Sequence, residues 1–185
     1  MSERDKMISG EWYFPDTDEL KNDRARAKTL CQKYNSLLPE QEEEKFELLK
    51  ALLGRMAKKP TIEPNFFCDY GYNIHFKGFV YINHNNVLLD CAPIEIGDET
   101  FIGPNCGFYT AIHPIEAQER IKAKECAKPI KIGKQVWIGG NVTVLAGVTI
   151  GDRAVIGAGS VVTKDIPSDV VAFGNPCRVI KKIEN

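Results

Sequence analysis

Three histidines, His75, His84 and His113, are the side chains of this chain best suited to moving a proton near neutral pH. His113 lies in Tyr109-Thr110-Ala111-Ile112-His113-Pro114, where the following proline confines it to extended backbone and so holds its ring in one direction. An imidazole held in this way can take a proton from a hydroxyl and return it to a leaving group. His75 falls between Ile74 and Phe76, two positions that share one side of a strand, and therefore points to the other. The six cysteines, Cys31, Cys68, Cys91, Cys106, Cys126 and Cys177, contain no C-x-x-C pair, which argues against a zinc knuckle or a redox motif. They read as free thiols of a reducing compartment, several of them filling small apolar positions. A covalent route through Cys106 or Cys126 lacks an adjacent base in the sequence.

The elements that must position these groups follow from a period of six. From Ile132 an aliphatic residue recurs at Ile138, Val144, Ile150, Ile156 and Val162, and a second set two residues earlier runs Ile130, Val136, Val142, Val148, Ala154 and Ser160. Neither a helix nor a single strand repeats at six. A short strand and a turn, repeated, does, and such units stack as a parallel β-helix because one alone cannot bury its apolar face. Gly133, Gly139, Gly151 and Gly157 follow the pairs and are expected to free the backbone for the bend. The same unit is expected from Pro64 on, with Ile74, Phe76, Val80, Ile82, Leu88 and Ile94 in one register and Ile96, Ile102 and Phe108 in a register shifted by two at Cys91-Ala92-Pro93. The pattern lapses from Ala111 to Lys128, bounded by Pro114 and Pro129. A long excursion from a compact solenoid is usually functional.

The first 60 residues are charged and carry no hexads. Leu20, Ala27, Leu30, Cys31 and Tyr34 share a helical face over 17–34, and Asp16 with Glu19 resembles a capping box. Pro39 suits the first turn of a second helix, with Phe46, Leu49, Leu53 and Met56 inward and an end between Gly54 and Lys59. The expected organisation is a helical segment over 1–60, a β-helix over 61–166 with a loop at 111–129, and a turn with a basic tail over 167–185. Lys and Arg number 24 against 25 Asp and Glu, a balance that points to neither nucleic acid nor a membrane surface. The start lacks the apolar run of a secretory signal, so a cytoplasmic protein is expected.

The hexads, together with Met7-Ile8-Ser9-Gly10-Glu11, Asp69-Tyr70-Gly71-Tyr72-Asn73-Ile74, Asn83-His84-Asn85, Leu89-Asp90, Thr110-Ala111-Ile112-His113-Pro114 and Gly174-Asn175-Pro176, resemble the hexapeptide-repeat acyltransferases of the maltose and galactoside O-acetyltransferase type over nearly the whole chain. The resemblance implies a mainly β fold, a left-handed parallel β-helix with a short N-terminal helical segment, assembled as a homotrimer. It implies acetyl transfer from acetyl-CoA to a sugar hydroxyl by direct attack, with no metal. His113 is then the general base, and Asn83 steadies the oxyanion from its amide N–H. Asp16, or its neighbour Asp18, with Asp69, Asp90 and Cys91, would face the acceptor. Asn83, Gly140, Ala158, Thr163, Lys164, Arg178 and Lys181 would line the coenzyme, which the family lays between two subunits, with Trp137 beside the pantetheine arm. At Asp69 the galactoside enzymes carry a smaller hydroxyl residue and at Cys91 an acid, which leaves the acceptor sugar open. Two other readings use the same coil: a zinc-dependent carbonic anhydrase collecting His75, His84 and His113, and a non-catalytic sugar-binding scaffold.

Overall fold

The structure, a computed structural model, describes residues 1–184; residue 185, the end of the expected tail, lies outside them. Three parallel faces wind around one core. The first holds Arg55–Met56, Ile74–Phe76, Ile94–Ile96, Ile130–Ile132 and Thr149–Ile150. The second runs Thr61–Ile62, Val80–Ile82, Thr100–Ile102, Trp137–Ile138, Val155–Ile156 and Val170–Phe173, with Arg178–Lys182 added antiparallel at its end. Phe66–Cys68, Asn86–Leu89, Gly107–Tyr109, Thr143–Leu145 and Val161–Val162 make the third. Each circuit visits the three in turn, so the molecule is a three-sided parallel β-helix.

The hexad register is the packing register. Ile132, Ile138, Val144, Ile150, Ile156 and Val162 are all buried, as is the set two residues earlier, down to Ser160. Polar residues at inward positions find partners: Thr100 donates to the Gly133 carbonyl at 2.9 Å and Asn86 to the Gly103 carbonyl at 3.0 Å. Outward positions differ by face. Arg55, His75, Glu95, Lys131 and Thr149 line up across the first face, whereas Tyr81, Phe101, Trp137, Val155 and Val171 line up across the second.

The glycines act differently from the expectation. Positive φ falls two residues after each, at Gln135, Asn141, Arg153 and Gly159. The glycines themselves sit where successive circuits nearly touch: a Cβ on Gly139 would lie 2.7 Å from the Ala158 nitrogen. They are required by close approach rather than by the bend.

The helical part also departs in its boundaries. A first helix, α1 (Glu3–Ser9), is closed at its start by a Ser2–Asp5 capping box. In α2 (Asp18–Ser36) the cap is Thr17, whose hydroxyl accepts from the Leu20 N–H, and not Asp16, whose side chain stands in solvent. Helix α3 (Glu42–Leu52) begins after Pro39 and ends before Leu53. Met56 instead lies in the first strand, so the coil starts at Arg55, ahead of Pro64. The basic end, from Arg178, is a strand rather than a loose tail because Val170–Phe173 offers it an unpaired edge. Among the described residues no helix is long and apolar enough to cross a membrane.

Candidate active site

Two edges of the prism collect the residues singled out by the sequence. Where the chain passes from the third face to the first, the corners are residues 69–73, 90–93, 110–129, 146–148 and, in the last complete circuit, 163–165. Asp69, Asp90, Cys91 and His113 therefore share one edge with Thr163 and Lys164. Where the chain passes from the second face to the third, Asn83, Gly103, Gly140 and Ala158 follow one another, one per circuit, and Arg178 starts the closing strand opposite Phe173, one circuit further on. A Cβ on Gly103 would lie 2.6 Å from the Gly140 nitrogen, so this second edge is a narrow track of bare backbone. The third face lies between the two edges. One strand and its corner residues span on the order of 10–20 Å, so within one chain Asn83 and His113 do not meet.

The Asp69 edge is enclosed by the N-terminal segment. Met7, Tyr13, Leu20, Tyr70, Cys91, Ala92 and Ala127 form a small core separate from that of the coil. The excursion leaves and returns as an antiparallel pair, Ala111 opposite Ala127 and Ile112 opposite Cys126. One step further out the same register sets His113 opposite Glu125. Glu125 Oε1 lies 3.8 Å from His113 Nε2, and its other oxygen accepts from the Tyr13 hydroxyl at 2.7 Å. Backbone bonds between Tyr13 and Glu125, 2.8 and 3.0 Å, hold the pair in place. Burial, with Cys91 and Glu125 close by, pushes the Tyr13 hydroxyl well above the usual tyrosine range, so it stays a donor. The His113 side chain is 51 % exposed, open to an acceptor, while Glu125 is 18 % exposed. Glu125 escaped the sequence reading; its signal is its place opposite His113 across the excursion.

Around this pair, Asp69 is half-buried and its carboxyl is raised above the ordinary range, chiefly by burial, against the pull of Cys91 and Arg24. Arg24 donates to the Tyr70 hydroxyl at 2.8 Å and to the Pro15 carbonyl at 2.9 Å, and lies 4.0 Å from Asp16. Asp16 thus lies beside Arg24 with its side chain largely in solvent, and Asp18 opens α2 two residues on. Cys91 directs its thiol to Asp69 at 3.7 Å and is itself buried. Asp90 requires a correction. It is fully buried, one oxygen accepting from the N–H groups of Asp69 and Tyr70 at 3.1 and 2.8 Å and the other from Asn73 at 3.3 Å. With those bonds made and no exposure, it braces the corner and does not face an acceptor.

On the other edge, the Asn83 Oδ1 accepts from the His84 N–H at 2.7 Å. Its Nδ2 has no hydrogen bond among the described residues and is left as an outward donor. Asn86 holds the loop from within, donating to the Asn83 carbonyl at 2.6 Å. Tyr81, Phe101 and Trp137 line a recess next to Asn83. Thr163, Lys164, Ala158, Arg178 and Lys181 are all exposed. The histidines are not gathered: His75 lies on the outer side of the first face, His84 on the Asn83 edge against the Pro64 carbonyl, and His113 on the opposite edge.

Residues 6–57 match the family described as maltose acetyltransferase hexapeptide capping motif, and residues 129–164 match bacterial transferase hexapeptide (six repeats). A galactoside O-acetyltransferase of Lactococcus lactis is 40% identical over 181 residues, 97% of this chain and 87% of that protein. The crystal structure of a maltose O-acetyltransferase from Clostridium difficile superposes with a TM-score of 0.98 at 48% identity, covering 100% of this chain and 99% of that one. A hexapeptide-repeat acetyltransferase of Vibrio cholerae, solved with acetyl coenzyme A, gives 0.93 at 39% identity with 100% of both chains covered.

Proposed function

The chain belongs to the hexapeptide-repeat acetyltransferases of the maltose and galactoside O-acetyltransferase type, and from that premise we propose that it carries acetyl from acetyl-CoA to a hydroxyl of a maltose, glucose or galactoside acceptor. His113 removes the hydroxyl proton as the oxygen attacks the thioester carbonyl. Glu125, 3.8 Å away, stabilises the imidazolium that results and keeps the ring turned to the recess. Asn83, through its unpaired Nδ2, donates to the oxyanion of the tetrahedral intermediate. The protonated ring then assists departure of the thiolate, a modest task for a thiol of pKa about 8.5. Asp69, Asp16 and Arg24 offer the acceptor hydroxyls two carboxylates and a guanidinium, complementary to their donors and acceptors. The donor lies along the backbone track of Gly140 and Ala158, close against Trp137, with Arg178 and Lys181 of the same copy and Thr163 and Lys164 of the facing copy at its phosphates.

The observation that carries this reading is the division of the site between two edges of one chain. A base on one edge and an oxyanion donor on the other serve one reaction only if a second copy sets its Asn83 edge against the first copy's His113 edge. The same relation repeated around a closed ring gives equivalent sites, and we propose a ring of three copies. The outer surfaces support it: the second face carries an aromatic stripe suited to burial, and the first face carries charges suited to water. The six free thiols suit the reducing cytoplasm, where we place the enzyme.

The test is to offer acetyl-CoA with a panel of sugars and to follow free thiol. Release that depends on a sugar of the maltose, glucose or galactoside class, with acetate recovered as its ester, is the expected result. Release at the same rate with no sugar present would overturn the proposal.

A further inference from the structure

Outside the proposed acetyl-transfer machinery, two of the six cysteines touch. Cys31, on the inner side of α2, and Cys68, at the end of the strand Phe66–Cys68, have their sulfurs 3.7 Å apart although they are 37 residues apart in sequence. Both are buried, yet they form the floor of a cleft of about 560 Å³ whose walls include Lys28, Gln32, Asn35 and Phe67. That cleft admits a molecule the size of water or a peroxide.

The other four thiols lack a sulfur partner. Cys91 is turned to the Asp69 carboxylate, and Cys106 donates to the carbonyls of Gly103, Pro104 and Gly139. Burial raises Cys126 and Cys177 above the usual thiol range. Only the Cys31–Cys68 pair combines contact, a path from solvent and a division of labour. Their shared hydrogen bond favours loss of a proton at Cys31; at Cys68 that bond, burial and the nearby Asp90 oppose it. Attack therefore starts from Cys31, because the thiolate is the reactive form.

We infer that Cys31 and Cys68 form a modification site for hydrogen peroxide, which converts the pair to a disulfide that ties α2 to the third face next to Asp69. The Cys31 thiolate attacks the peroxide, the O–O bond breaks, and the departing hydroxide takes a proton to become water. The resulting sulfenic acid is attacked by the Cys68 sulfur; the S–S bond forms and a second water leaves with the Cys68 proton. Two thiols are oxidised by two electrons in all, and one peroxide is reduced to two waters. The linkage would fasten the helix that supplies Arg24 to the corner that supplies Asp69, so the state of this pair reaches the wall of the acceptor recess.

The experiment treats the folded full chain with a small excess of hydrogen peroxide. Non-reducing proteolysis should then release the Cys31 peptide joined to the Cys68 peptide, with the intact mass lower by two hydrogens and restored by dithiothreitol. Tm should rise by roughly 5–15 °C, and Cys68→Ala should lose that rise while its Cys31 becomes reactive to a sulfenic-acid probe. Sulfinic acid at Cys31 with no joined peptide, or a joined peptide formed only after denaturation, would overturn the inference. The peptide map of the parent protein decides between these outcomes even where a variant does not fold.

Discussion

Glu125 supplies His113 with a counter-charge, and Tyr13 fixes that carboxylate from its far side. This chain of contacts orders three effects. His113→Ala should lower kcat by about 10²–10⁴-fold, the usual worth of general acid–base catalysis. Glu125→Gln should cost roughly 5–10-fold, because a partly exposed ion pair contributes only about 1 kcal/mol, and Tyr13→Phe should cost less still. Steady-state kinetics on proteins of matched oligomeric mass checks the order; a Glu125→Gln enzyme as damaged as His113→Ala would make Glu125 itself the base. The place of His113 at the mouth of the excursion was legible because Pro114 and the lapse of the hexads mark it. The place of Glu125 beside it was not, since that depends on a cross-strand register that no local pattern announces. Asp90 misled for a related reason, as a carboxylate in sequence looks the same whether it meets solvent or three N–H groups. Burial, with Asp69 nearby, raises its carboxyl to about 7 against the pull of its N–H donors. The folded chain then holds this proton up to about pH 7 while the unfolded chain releases it near 3.9. The group's contribution to stability is full below about pH 4 and lost as pH rises through 7. Between pH 4 and 8, Asp90→Asn should therefore gain on the parent by on the order of 3 kcal/mol in urea unfolding. A constant difference across that range would mean that the N–H donors outweigh burial.

At the scale of elements, the hexads were readable in full because each strand buries the same two positions and nothing else competes for them. Their corners were read in the wrong terms. Bending is done two residues later, by Gln135, Asn141 and Arg153 among others, residues whose types do not announce positive φ except at asparagine. Gly139→Ala should therefore destabilise by about 1–3 kcal/mol through collision with the next circuit, whereas Asn141→Gly should be tolerated, as thermal unfolding of the two variants will show. The helix starts make a similar point: Thr17→Ala should cost about 1 kcal/mol and Asp16→Ala within about 0.5 kcal/mol. Helix α1 went unseen although its Ser2–Asp5 capping box is a local signal, because its one buried side chain, Met7, shows no periodic face and packs with Ala127 of the excursion; the closing strand from Arg178 went unseen because it is held by an open sheet edge.

For the whole molecule, the decisive prediction is complementation. His113→Ala and Asn83→Ala should each be weakly active alone. Unfolded together in equal amounts and refolded, they should regain about a quarter of parent activity, because one interface in four then joins an intact His113 edge to an intact Asn83 edge in a head-to-tail ring. Mixing without recovery, in particles whose sedimentation gives three chains, would place both residues of a site in one chain. The sequence showed the excursion at residues 111–129 and a shift of two at Cys91-Ala92-Pro93 as separate irregularities. The coil stacks them, with the corner at Asp69, on a single edge. The repeat is thus broken along this one edge and kept regular elsewhere. Regularity has its own consequence on the Asn83 edge. Successive circuits, such as those of Ile132 and Ile150, are 18 residues apart in sequence and about 4.8 Å apart in space, so the five strand-to-strand steps from Val80–Ile82, which leads into Asn83, to Arg178–Lys182 make a gauge of roughly 24 Å. With the donor laid on this track as proposed, the number of circuits would set how long an arm can stretch from a reacting thioester to an anchored phosphate, and removing one would retune the enzyme to a carrier about 5 Å shorter.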